Sequence, residues 1–142
     1  MSIMLADNNK VYIKEEYIKK VKQNVEPHWG ELGWVTYKRT YARFIPHKKR
    51  TEEWEETVKR VVEGNINLDP RLKGDFVNAD IIRELEEEAN KLFKLIYGLG
   101  ALPSGRNLWI SGTEYQKRNG DSLNNCWFIA IRPQEYGKSH IL

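Results

Sequence analysis

Cys126 is the single cysteine in a chain of 142 residues. It stands where a polar loop, NGDSLNN, becomes a continuous apolar run, CWFIAI, over 126–131. A lone cysteine opening an apolar strand is commonly a small buried hydrophobe. A thiol at the mouth of a strand also lies where a sheet presents groups to a ligand, and there it can act as a redox group or a nucleophile. One cysteine excludes an internal disulfide framework and any Cys-rich zinc site. His28, His47 and His140 have no carboxylate or cysteine at metal-ligand spacing, so no metal site is expected. A second cluster is cationic and aromatic: Lys38, Arg39, Arg43, His47, Lys48, Lys49 and Arg50, overlapping WVTYKRTYARF at 34–44. It suits a nucleic-acid surface with stacking rings, or a helix with aromatics facing a core and bases facing water.

The elements that must position these groups follow from periodicity. Tyr17, Val21 and Val25, with Ile18 beside them, predict a helix within 11–25 that Pro27 stops. Trp34, Tyr37, Tyr41 and Phe44 recur at helical spacing, their β-branched and aromatic neighbours leave a strand open, and Pro46 ends that segment. Thr51 is the expected N-cap of a third helix, with Glu52, Glu53, Glu55 and Glu56 favouring its N-terminus, Trp54, Val58, Val61 and Val62 as its buried stripe, and Gly64 as its end. The clearest helix runs from Ala79 to Tyr97, with Ile82, Leu85, Ala89, Leu92, Phe93 and Ile96 on one face and Gly98 as the stop. Glycines and Pro103 then mark 98–122 as loop, within which 107–111 is expected to form a short strand. The run 126–131 has the pattern of a strand buried on both faces, typical of a parallel sheet, and little chain follows it to supply neighbours.

Hydrophobic residues make up 40% of the chain and aromatics 11%, enough to build a core and too aromatic for a disordered tail. No apolar run approaches the roughly 20 residues of a membrane span. Asp7 and Lys10 interrupt the N-terminus before a signal-like core develops, so a cytoplasmic protein is expected. The net charge of +3 is uneven: +6 over 1–50, −5 over 51–100 and +2 over 101–142. That basic first third could attract a polyanion, but the balance is too mild to require nucleic acid.

Four blocks go further than composition. PHWGELGWVTYKRTYAR, ETVKRVVEGNINLDPRL, KLFKLIYGLGALPSGRNLWISGT and GRNLWISGTEYQKRNGDSLNNCWFIAIRPQEYGKSHI resemble the monomeric adenosylcobalamin-dependent ribonucleoside-triphosphate reductases. They occur in order and cover most of the chain from about Val25 onward. The resemblance implies an α/β fold: a mainly helical N-terminal region, 1–100, leading through a substrate loop into the first strand of a ten-stranded α/β barrel, 101–142. It implies that Cys126 is one half of a redox-active dithiol. A thiyl radical on a different cysteine would take the 3′ hydrogen of the ribose, the 2′ hydroxyl would leave as water, and a thioredoxin-type partner would re-reduce the disulfide. By position, Arg106 and Asn107, and Asn124 and Asn125 just before the cysteine, are implied contacts to phosphate and ribose.

Members of that family are several times longer. The radical cysteine, the second dithiol cysteine and the adenosylcobalamin-binding region would all lie beyond Leu142, so the chain is expected to be an N-terminal portion that is inactive alone. The remainder of the reductase and a ribonucleoside triphosphate are its implied partners. The reading from a different class is a non-catalytic nucleic-acid-binding module that uses the basic aromatic segment 34–50, tested by salt-dependent binding to single strands.

Overall fold

The structure, a computed structural model, describes residues 9–73 and 77–123. Cys126, Asn124, Asn125 and the expected strand 126–131 lie outside the described residues. The described part is mostly helical, with one two-stranded hairpin.

Helix α1 spans Glu15–Asn24 and buries Ile18 and Val21. Residues 11–13, expected at its start, stay out of the helix, with Val11 and Ile13 both buried. Side chains two apart share a face only in extended chain, and in a helix they would diverge. Asn67 fixes this segment, accepting the Val11 N–H at 2.8 Å and donating to the Val11 carbonyl at 2.9 Å, while the Glu63 carboxylate accepts the Ile13 N–H at 2.9 Å.

Helix α2 spans Glu31–Thr40 and ends before Phe44. The backbone of Arg43 is taken by Glu52, whose N–H donates to the Arg43 carbonyl and whose carboxylate accepts the Arg43 N–H. This turns the chain into strand β1, Phe44–Ile45, antiparallel to β2, Arg50–Thr51. Thr51 therefore pairs with Phe44 instead of capping a helix. The cap of α3, Trp54–Ile66, is Glu53, in a reciprocal capping box with Glu56.

Helix α3 buries Trp54, Val58, Val61 and Val62, as their spacing predicts, and continues past Gly64 to Ile66. It packs chiefly on α4, which spans Ala79–Tyr97 with both ends as expected. The Asn78 carboxamide oxygen accepts the Ile81 N–H as its N-cap. Leu85, Ala89, Phe93 and Ile96 are buried, whereas Leu92 lies at the edge of the stripe and borders an open groove with Leu68 and Pro103. Past the α4 C-terminus it is Leu99, not a glycine, that takes the left-handed conformation, at φ 61°. Trp54 donates its indole N–H to the Tyr97 carbonyl at 2.9 Å, tying the start of α3 to the end of α4.

The expected strand at 107–111 is a helix instead. Helix α5 spans Gly105–Ile110, and α6 spans Glu114–Arg118. Ser104 decides this locally: its hydroxyl caps the helix, accepting from the Asn107 N–H and, at 2.9 Å, from the Asn107 side chain. No helix among the described residues is long and apolar enough to cross a membrane.

Candidate functional site

Helix α5 carries the two implied contact residues that the structure describes, Arg106 and Asn107. Asn107 is held within its own helix. Its amide nitrogen donates to Ser104, and its oxygen accepts the Ser111 hydroxyl at 3.1 Å. Arg106 lines an open cavity of about 530 Å³ with Arg43, Trp109, Ile110 and Tyr115. Trp109 and Tyr115 leave about half of their surfaces in solvent. One Arg43 amino group donates to the Trp109 carbonyl at 2.9 Å, so the β1 approach and α5 are joined at the cavity wall.

What positions α5 is a buried charge network. Glu52 is 6% exposed, and Arg60 of α3 grips it with two hydrogen bonds, Nε to Oε1 at 2.7 Å and Nη2 to Oε2 at 2.9 Å. The same guanidinium donates to the carbonyls of Leu108, at 2.8 Å, and Ser111, at 2.5 Å. Those carbonyls close the last turn of α5, where backbone oxygens lack partners and a cation is favoured. Thr57 donates to Glu52 at 2.8 Å and meets the Tyr37 hydroxyl, also at 2.8 Å. Burial by itself would raise the Glu52 carboxyl, but the hydrogen bonds and charge of Arg60 outweigh it and hold the group below its ordinary value. Burial pushes the Tyr37 phenol well up, so it remains a neutral donor.

Neither Glu52 nor Arg60 stands out in the sequence as a site residue. Glu52 is one of four glutamates in a helix-start pattern, and Arg60 is one cation among polar neighbours. Their pairing depends on the hairpin turning Glu52 inward. Trp109 and Tyr115 were equally hidden, because a six-residue helix is too short to show a periodicity.

The basic aromatic segment takes the core-and-solvent arrangement. Tyr37 is buried against Trp29 and Trp54. Lys38 pairs with Glu53 at 3.0 Å and lies over the Trp34 ring, while Lys48 and Arg50 both bind Glu56. Three of the segment's cations, Lys38, Lys48 and Arg50, are thus matched to glutamates at the start of α3. Among the described residues no group of three or more His, Cys, Asp or Glu could hold a metal ion.

Comparison with known proteins places this architecture. The model of the ribonucleotide reductase alpha domain matches residues 13–113. The chain is 70% identical over 126 residues to an adenosylcobalamin-dependent ribonucleoside-triphosphate reductase of Lacticaseibacillus paracasei, covering 89% of this chain and 17% of that protein. A protein of the same name from Lactobacillus leichmannii is 66% identical over 135 residues, covering 95% of this chain and 18% of the relative. A crystal structure of a B-12 dependent (class II) ribonucleotide reductase superposes with a TM-score of 0.83 at 67% identity, over 94% of this chain and 18% of that one. The chain thus spans less than a fifth of the length of the curated relatives it matches.

Proposed function

The chain belongs to the ribonucleotide reductase alpha family, and from that premise we propose that it is part of an adenosylcobalamin-dependent reductase that converts ribonucleoside triphosphates to deoxyribonucleoside triphosphates. One observation carries this reading: over about 95% of this chain the sequence matches a part of proteins bearing that name, and the backbone matches a part of a B-12 dependent ribonucleotide reductase. In this reading residues 1–100 are its helical N-terminal region, and 101–142, where α5 and α6 also lie, carry the substrate loop and the first barrel strand. Cys126 contributes one sulfur of a dithiol whose second cysteine belongs to the rest of the reductase. The balance is that of a two-electron reduction: two thiols lose two hydrogens and close an S–S bond, and the ribose exchanges its 2′ hydroxyl for hydrogen, releasing water. A thioredoxin-type dithiol then reopens the disulfide by exchange. Adenosylcobalamin, held by other parts of the reductase, supplies the radical chemistry that starts turnover. Within this chain Arg106 offers a guanidinium fork to the triphosphate, Asn107 holds the turn that presents it, and Asn124 and Asn125 lie beside the ribose. The enzyme is cytoplasmic in this reading.

The test joins this chain to the remaining length of a relative and measures deoxynucleotide yield with cofactor and a thioredoxin system. The joined protein is expected to turn over, and the 142-residue chain alone is not. Cys126→Ser is expected to keep the melting temperature and lose multiple turnover, because serine cannot form the disulfide. A folded joined protein that makes no deoxynucleotide, or a Cys126→Ser variant with undiminished multiple turnover, overturns the reading.

A further inference from the structure

We propose that Glu52 and Arg60 are positioning residues of the reductase: their ion pair, gripping the end of α5, sets the place of the helix that presents Arg106 and Asn107 to the substrate. The clamp itself is drawn from the structure, and only what α5 presents rests on the reductase reading. Helix α5 has six residues, and a helix shorter than about 12 is marginal on its own. Its place must therefore be set from outside. Arg60 makes four hydrogen bonds, two to the Glu52 carboxylate and one each to the Leu108 and Ser111 carbonyls. Arg43 takes the Trp109 carbonyl between them, and its own backbone N–H donates to Glu52 at 3.1 Å. Three carbonyls at the end of α5 are thus held by two guanidinium groups that converge on one carboxylate. Helix α3 holds the next turn as well. Buried Gln116 accepts the Gly112 N–H at 2.7 Å and donates to Asn65 of α3 at 3.2 Å. The network fixes position more than it adds strength. Taking an ion pair out of water is costly, and packed apolar side chains of similar volume commonly stabilise a protein as well. What a guanidinium adds is direction, because its planar fork sets two carboxylate oxygens and leaves the remaining N–H groups aimed along fixed lines. Direction matters where a helix carries binding groups, since a misplacement of about 1 Å can cost about 100-fold in rate.

The experiment uses the joined protein of the turnover test and the variant Arg60→Lys. Lysine keeps a cation beside Glu52, so no buried charge is stranded, but it has no fork to hold carboxylate and carbonyls together. The variant is expected to raise KM for the ribonucleoside triphosphate about tenfold and to leave kcat within about threefold, the pattern of binding lost equally from substrate and transition state. Leu85→Ala, a cavity under α4, is the control for lost stability and is expected to keep the parent KM. Amide exchange is read on the same samples. The Leu108 and Ser111 N–H groups close the turns of α5, and both are expected to exchange about tenfold faster in Arg60→Lys, with α4 unchanged. Three results overturn the proposal: α5 exchange in the folded Arg60→Lys protein equal to that of the parent, an unchanged KM in that variant, or a KM raised as much by Leu85→Ala. A parent joined protein that does not turn over removes the reductase reading and with it the positioning role, while faster α5 exchange in Arg60→Lys would still show the clamp.

Discussion

Arg60 serves two partners at once, the buried Glu52 carboxylate and the carbonyls that end α5. Its removal leaves a charge at a site only 6% exposed and two carbonyls without their donor. Arg60→Ala is therefore expected to cost about 3–5 kcal/mol, the usual loss when one member of a buried pair is deleted. Urea denaturation measures it, and adding Glu52→Gln should recover part of the loss by removing the stranded charge. Equal loss in single and double variants would show that charge is not the cause. Glu56 gives a pH signature. Hydrogen bonds from Arg50, with those of Lys48 and the Glu53 N–H, outweigh partial burial and hold its carboxyl down to about 2, against 4.5 for an ordinary glutamate. The folded-state value lies below the unfolded one, so its contribution is complete above about pH 4.5 and is lost as pH falls towards 2. Glu56→Gln should flatten the stability profile in that window and leave its shape near neutrality unaltered. An acid limb as steep in the variant as in the parent chain would show that other carboxylates carry it.

At the scale of elements, the backbone of α3 lies directly against the turn after α5 at Gly64. A Cβ on Gly64 would stand 2.2 Å from the Gly112 nitrogen and 2.4 Å from its Cα, and Gly112 itself has φ +75°. The sequence suggests that Gly64 ends a helix, but the helix continues to Ile66 and the glycine is there for close approach. Gly→Ala within a helix ordinarily gains about 0.5–1 kcal/mol. Here the sign should reverse: Gly64→Ala is expected to cost about 1–3 kcal/mol as the turn is forced off α3. A raised melting temperature would show that the contact yields freely. Legibility also differs by element. Helix α4 could be placed from sequence to the residue because it is long, strongly amphipathic and stopped by Gly98. Helix α5 was expected as a strand because six residues cannot display a helical period, and a single side-chain cap decided the matter.

Across the whole molecule, apolar surface is left uncovered. Leu32 is 80% exposed and Phe44 63%, and Val35, Leu102 and Trp109 are each more than half exposed. Exposed apolar patches of this kind invite association. Sedimentation of the 142-residue chain is expected to show average mass rising with concentration, and Leu32→Lys with Val35→Glu should lower it. A monomer at every concentration would show that these side chains are too scattered to form a patch.

By itself the sequence determined the helical character of the N-terminal region, the α4 boundaries, the apolar stripe of α3 and the family to which the chain belongs. These are carried by local periodicity, short-range capping and long colinear blocks, all of which are written along the chain. Tertiary structure alone decided that 11–13 is extended, that Thr51 pairs in a hairpin, that Glu52 turns inward to Arg60, and that Arg43 joins Arg106, Trp109 and Tyr115 around one cavity. The first and the last join residues more than fifty positions apart, and the hairpin and the Glu52–Arg60 pair join residues seven and eight apart in contacts that no helical or strand period displays. The Arg43–Trp109 bond spans 66 positions, and no local pattern encodes a contact that exists only once hairpin, α3 and α5 have packed together.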